Sequence, residues 1–171
     1  MPRFEHQRHK PPAALDSPRE LIVACAPLRS NVNLSRIVRT AGCCGVRQVI
    51  CCGTAKIVEK IARDSVDDEN VSAVEIRVHR TLAPPLAELR RQGYRLVGLE
   101  QTTGSENLHT FAFQRRTVLV VGNERLGLAD EILALLDDVV EIPVYGLPHA
   151  YNVATATAMA LYEFCRQFPK G

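Results

Sequence analysis

Apolar residues fall along this chain in short unbroken runs, separated by stretches whose apolar positions recur every three or four residues. "ELIVACAP" at 20–27 is short enough for a strand buried on both faces. "NLSRIVRTAGCCG" at 33–45 sets Ile37, Val38 and Ala41 on a helix that Gly45 closes. "VRQVICCG" at 46–53 predicts a second strand, and residues 56–64 a short helix. "AVEIRVHR" at 73–80 alternates as a third strand. "PPLAELRRQGY" at 84–94 opens a helix with prolines and ends it at Gly93. "RLVGLE" and "TVLVVGNE" predict two more strands, "ADEILALLD" at 129–137 a helix, and "VVEIPV" at 139–144 a sixth strand. A last helix runs from about Asn152 to Gln167. Strands alternating with helices in this way predict an α/β fold: a mostly parallel six-stranded sheet with helices on both faces.

Residues 1–18 break this pattern. They are polar, carry Pro2, Pro11, Pro12 and Pro18, and read as a flexible arm with Arg3, Arg8 and Lys10 near its start. The remainder, 19–171, reads as one domain, which suits a chain of 171 residues. A net charge of +2 is too small to demand nucleic acid, so any basic footprint must be local. No run approaches a membrane span and the N-terminus has no apolar signal segment, so a cytoplasmic location is expected. The six cysteines form no C-x-x-C and no metal is expected. They read first as small buried hydrophobes in a reducing compartment, with redox or metal chemistry as the second reading.

In open α/β sheets, ligands bind beyond the carboxyl ends of the strands. Three such ends carry unusual residues here: "LEQTTG" at 99–104, "VVGNERLG" at 120–127 and "IPVYGLPHAYN" at 142–152. None is a dinucleotide or triphosphate fingerprint. Gly122, Gly127, Gly146 and Pro143 suit close approach of backbone to a ligand or to another segment, or simply make turns; three such loops point to a shared pocket. Glu124 is placed either to cap a neighbouring helix or to position a substrate. Asn33 has the same two options, with capping the simpler. Arg39 is a helical arginine with apolar neighbours, so its stem is expected to pack. The helix after Asn152 opens in small residues, Ala154, Thr155, Ala156, Thr157 and Ala158, which implies close contact with its backbone.

Together these segments resemble the SpoU (TrmH-like) family of RNA 2′-O-ribose methyltransferases within the SPOUT superfamily. Its three motifs match 33–46, 119–132 and 142–163, in order. The resemblance implies a C-terminal deep trefoil knot, S-adenosylmethionine as cofactor, and a homodimer joined through the knot and the C-terminal helix. It implies RNA as partner, tRNA ahead of rRNA. The cofactor pocket it implies is built from Leu99, Gln101, Thr102, Gly122, Asn123 and Gly127, and from Ile142, Pro143, Val144, Gly146, Tyr151 and Ala154. The catalytic set it implies is Arg39, Asn33, Glu124 and Asn152. The matched arginine is proposed in the family to activate the ribose hydroxyl. A guanidinium is too basic to serve as a proton acceptor, so Arg39 is expected to stabilise alkoxide charge or to grip a phosphate.

One departure stands out. The family's serine–leucine–asparagine reads Ala150, Tyr151, Asn152 here. The missing hydroxyl is expected to cost about 1–3 kcal/mol if its partner stays buried and unpaired. It also admits an alternative, a weak or inactive RNA-binding protein that keeps the fold.

Overall fold

The central strand β1 (Leu21–Cys25) is buried along its whole length because it is paired on both edges. Its partners are β2 (Gln48–Cys52) and β6 (Thr117–Val121), both parallel to it. Outward from β2 lies β3 (Glu75–His79). Outward from β6 lie β4 (Arg95–Leu99), β7 (Asp138–Glu141) and β5 (Glu106–Asn107), giving the order β3-β2-β1-β6-β4-β7-β5. Every pairing is parallel. This is the architecture of a computed structural model that describes residues 3–7, 10–53 and 74–171. The helix expected over 56–64 lies outside the described residues.

The sheet therefore has seven strands, not the expected six. The extra strand, β5, is two exposed residues long and has no apolar run to announce it. It forms because Leu108 continues the ladder, its N–H donating to the Glu141 carbonyl at 2.9 Å.

Both faces of the sheet are covered, which is why its strands read as unbroken apolar runs. On one face, Val23, Val49, Val97 and Leu119 meet α1 (Asn31–Cys43) and α4 (Val153–Gln167) through Ile37, Val38, Leu161 and Phe164. On the other, Ile22, Ile50, Leu96 and Val118 meet α2 (Ala83–Arg91) and α3 (Asp130–Leu133) through Leu86, Leu89 and Ile132. The small residues of α4 are explained by this packing. Ala154, Thr157 and Ala160 are buried in the core face that α4 shares with α1. The Thr157 hydroxyl donates to the Val153 carbonyl at 2.7 Å, so no polar atom is stranded there.

Two element lengths differ from expectation. The helix expected over 129–137 is confined to Asp130–Leu133. Beyond it the turns tighten, with the Leu135 and Leu136 N–H groups donating to Ile132 and Leu133. The Asp137 N–H then donates to the Leu96 carbonyl of β4 at 2.9 Å. The Asp137 carboxylate returns the contact, accepting from the Leu96 N–H at 2.9 Å. The sheet thus captures the chain before a second helical turn can form. The strand expected over 139–144 ends at Glu141, short of Pro143, which has no N–H to offer a ladder. Among the described residues, no helix is long and apolar enough to cross a membrane.

Asp137 also pairs with Arg90 at 2.7 Å, so one carboxylate joins α2 to the start of β7. Replacing it with alanine removes the acceptor of the Leu96 N–H. Asp137→Ala should lower unfolding stability by about 1–3 kcal/mol in urea denaturation, and Asp137→Asn, which keeps an acceptor, by less.

Candidate active site

The four strands β1, β6, β4 and β7 are consecutive neighbours, so their carboxyl ends open on one edge of the sheet. The segments that follow β6, β4 and β7 line a cavity of about 260 Å³. Leu99, Val121, Ile142 and Val144 give it apolar walls, and Tyr151, Val153 and Ala156 border it from the α4 side. Glycine is required at two positions. A Cβ on Gly122 would lie 2.5 Å from the Gly127 carbonyl carbon, and one on Gly127, at φ +68°, would lie 2.4 Å from the Glu100 carboxylate. The loop between them is closed on itself. Asn123 and Gly127 exchange backbone hydrogen bonds at 3.0 Å, and the Asn123 amide oxygen accepts from the Arg125 and Leu126 N–H groups. The Asn123 amide donates to the Pro27 carbonyl, fixing this loop to the one after β1. Glu100 supports it from below, accepting from the Leu128 N–H at 2.9 Å.

At the mouth of the cavity Glu124 organises three segments. One oxygen of its carboxylate accepts from the Arg29 N–H at 2.8 Å. The other accepts from the Ser30 N–H at 2.9 Å and from the Asn33 amide at 3.0 Å. The Asn33 oxygen in turn accepts from the Asn152 amide at 3.2 Å. The Asn152 oxygen caps α4 by accepting from the Ala154 and Thr155 N–H groups at 2.9 and 3.4 Å. Partial desolvation on its own would raise the Glu124 carboxyl. The bonds donated by Arg29, Asn33, its own backbone and Ser30 outweigh it and hold the group down at about 2. Glu124 is therefore ionised at neutral pH.

Asn33 does not cap α1. Ser30 does, its hydroxyl accepting from the Asn33 N–H at 3.3 Å, and Asn33, buried within the first turn, is free to use its side chain on Glu124 and Asn152. The apolar run drew the predicted helix start to 33, two residues beyond the observed start at Asn31.

Of the residues expected around a cofactor, Leu99, Gln101, Gly122, Asn123, Gly127, Ile142, Val144 and Tyr151 border the cavity. Thr102, Pro143, Gly146 and Ala154 do not. Thr102 is taken up in a turn with Gly104 and Ser105. Pro143 borders a second cavity beside α4, Gly146 sits in open space, and Ala154 is buried beneath the cap. Glu100, Arg125, Ala150 and Val153 border the cavity without having been singled out as ligand contacts. Gln101 also reaches the His149 carbonyl at 3.5 Å, linking the loops after β4 and β7.

Arg39 stands apart from the other three expected catalytic residues. It is exposed on α1 and has no hydrogen bond or ion pair among the described residues. Several arginines that looked equally available in the sequence are engaged: Arg90 with Asp137, Arg91 with Glu88, Arg116 with Glu20.

Ala150 borders the cavity with no hydroxyl to offer, yet it strands no buried side-chain polar atom among the described residues. Among the described residues the one buried side-chain polar atom without a partner is Arg19 Nε, far along the chain.

A parallel α/β sheet with a glycine-lined cavity and an ionised carboxylate at its carboxyl edge defines a ligand-binding domain of the open-sheet class. The sequence pattern of the SpoU rRNA Methylase family matches residues 20–162, and the chain belongs to that family. It is 29% identical over 148 residues to the tRNA (guanosine(18)-2′-O)-methyltransferase of Escherichia coli (strain K12), covering 86% of this chain and 64% of that protein. It is 33% identical over 153 residues to the enzyme of the same description from Aquifex aeolicus, covering 87% of this chain and 70% of that one. The fold is similar to that of the A. aeolicus TrmH/SpoU tRNA modifying enzyme, with a TM-score of 0.72 and 29% identity over 87% of this chain and 75% of the other. It is also similar to the SpoU methyltransferase AviRb from Streptomyces viridochromogenes in complex with AdoMet. That likeness has a TM-score of 0.73 at 25% identity, over 92% of this chain and 64% of the other.

The Glu124 carboxyl is held below its ordinary value of 4.5, so the stability it contributes is complete above that pH and is lost as pH falls toward about 2. Glu124→Gln should be less stable than the parent by about 1–3 kcal/mol at neutral pH. The gap between the two should close between about pH 4.5 and 2 in urea titrations.

Proposed function

We propose that this chain is an S-adenosylmethionine-dependent methyltransferase that places a methyl group on a ribose 2′-hydroxyl of structured RNA, with tRNA as its substrate. The observation that carries this reading is the hydrogen-bonded series Glu124–Asn33–Asn152, which reaches the cavity through Glu124. It joins one residue from each of the three family motifs, which have no local reason to meet.

The cavity suits the cofactor. Leu99, Val121, Ile142 and Val144 offer apolar contact to an adenine ring, and Gly122 and Gly127 keep backbone groups at the cavity wall. The ionised Glu124 lies at the border of the cavity, a favourable neighbour for a cationic sulfonium. When bound, S-adenosylmethionine supplies the electrophilic methyl group. The chain's own residues then hold the acceptor. Asn33 and Asn152, fixed by Glu124, orient the target nucleotide, and Arg39, exposed and unpaired among the described residues, faces the charge of the RNA. Its guanidinium stabilises negative charge developing on the 2′-oxygen or grips the adjacent phosphate. Arg36, exposed on α1, and Arg125, exposed in the loop after β6, add to the electrostatic footprint.

We also propose that the segment after β7 is threaded as a trefoil knot and that two chains pair through α4. The bonds from Gln101 to His149 and from Asn33 to Asn152 support a C-terminal segment held tightly among the other loops. Beside α4, Met159 and the 74%-exposed Tyr162 flank an apolar cavity of about 640 Å³ that also touches Ile142 and Pro143. That face is continuous with the cavity edge through Ile142, so pairing there would bring a second chain up to the site.

Two measurements test this reading. In calorimetric titration with S-adenosylhomocysteine, the parent and Arg39→Ala should bind within about threefold of one another. Methyl transfer to an unmodified tRNA transcript, read as 2′-O-methylnucleoside, should fall at least about 100-fold in Arg39→Ala. Absence of binding to the parent would overturn the proposal. In sedimentation analysis the parent should be a dimer and Tyr162→Glu a monomer, because a charge would then be desolvated in the apolar contact.

A further inference from the structure

Acidic residues are missing from one continuous part of the chain. Residues 21–52, which take in β1, α1 and β2, hold four arginines and no aspartate or glutamate. Val32, Arg36 and Arg39 stand four and three residues apart, so they share one face of α1 about 10 Å long. All three are exposed, and so is Arg29, just ahead of the Ser30 cap. The loop after β6 extends this face. The Arg29 N–H donates to Glu124 at 2.8 Å, which brings the next residue, Arg125, up to the start of α1. Glu124, the one acid of that loop, is turned inward onto N–H donors. The next acids along the chain, Asp130 and Glu131, open α3 on the other face of the sheet.

Two large apolar groups interrupt these charges. The loop after β6 is closed on itself by Asn123 and Gly127, and its tip holds Leu126 82% exposed. On α1, Val32 is 58% exposed. Neither packs into the core. Arginines elsewhere are spent within the fold: the ion pairs among the described residues engage those of β3, α2, β4, α4 and the turn into β6. Arg29, Arg36, Arg39 and Arg125 enter none of them. None of these residues lines the cavity beside α4 that a second chain is proposed to cover, whereas Arg125 borders the cavity at the carboxyl edge.

We propose that the exposed face of α1 and the tip of the loop after β6 form one RNA-binding surface, in which Arg29, Arg36 and Arg125 hold backbone phosphates and Val32 and Leu126 rest against sugars and bases. This inference rests on the methyltransferase reading and adds to it the path by which RNA reaches the cavity. Guanidiniums without acidic neighbours attract a polyanion, and their planar forks match phosphate oxygens. Apolar side chains between them suit the sugar and base faces of a nucleic acid, which an anionic lipid headgroup lacks. Because Arg125 borders the cavity, a strand laid along α1 ends beside the proposed methyl donor. The rigid tip meets the RNA in a fixed position, since its backbone N–H groups are already spent on Asn123.

The test measures binding of an unmodified tRNA transcript to the full chain by fluorescence anisotropy over a series of KCl concentrations. Arg29→Gln and Arg36→Gln should each weaken binding about five- to tenfold at low salt and lower the slope of log affinity against log salt by about 1. Arg77→Gln and Arg91→Gln, which remove the same charge from β3 and α2, should change neither. Leu126→Ala should weaken binding roughly fivefold with the slope unchanged, and Leu126→Met should restore it. S-adenosylhomocysteine should bind every variant as it binds the parent, which checks that the fold is intact. Slopes that fall as far in Arg77→Gln and Arg91→Gln would overturn the proposal, since net charge alone would then explain the binding. So would binding to phosphatidylserine vesicles that depends on Arg29 and Arg36 while tRNA binding does not. A parent that binds S-adenosylhomocysteine but no tRNA would overturn this surface and the RNA reading together. A parent that binds tRNA with a slope indifferent to Arg29 and Arg36 would overturn the surface alone.

Discussion

One ionised carboxylate holds the candidate site together. Glu124 accepts three hydrogen bonds from the start of α1, and through Asn33 it reaches the cap of α4. No cation among the described residues neutralises it, so its charge is sustained by N–H donors alone. Such an anion is stable only while those donors stay in place, which couples the position of α1 to the loop after β6. The helix ends are set by the same atoms that set the site. A displacement of either helix would break the bonds that hold Asn33 and Asn152 to Glu124 and to each other.

Close packing makes that arrangement possible. Gly122 and Gly127 let two backbone segments approach until no Cβ would fit between them. The alanine and threonine face of α4 lets that helix sit down on the core it shares with α1. A larger side chain at either place would push the loop or the helix outward by more than a hydrogen bond can stretch. The cavity is thus a consequence of tight contacts around it, and its walls are apolar because the strands that end there are buried on both faces.

The molecule contains a complementary pair of charge problems at opposite ends of α1. At the N-terminal end an anion is satisfied by neutral donors; at the C-terminal end a buried cation, Arg19, lacks an anion. The first is resolved within the fold. The second is met only in part, by the Phe168 carbonyl that accepts from one terminal nitrogen and by the Phe164 ring beside the guanidinium.

The sequence by itself determined the parallel α/β class, the succession of the main strands along the chain, and the three loops that build the site. It did so because strands buried on both faces must be written as short apolar runs, and because backbone contact can be written only with glycine and small residues. Three motifs in register were enough to point to the family. The tertiary structure alone decided the seventh strand, which exists through a neighbour's ladder and not through its own residues. It alone cut α3 short, because Asp137 is taken by β4. It moved the cap of α1 to Ser30 and gave Asn33 to Glu124, and it separated Arg39 from the arginines spent on ion pairs. The contacts of Asp137 with Leu96 and of Glu124 with Ser30 and Asn33 span roughly forty to one hundred residues, and no local pattern records which of several polar atoms such a partner will choose.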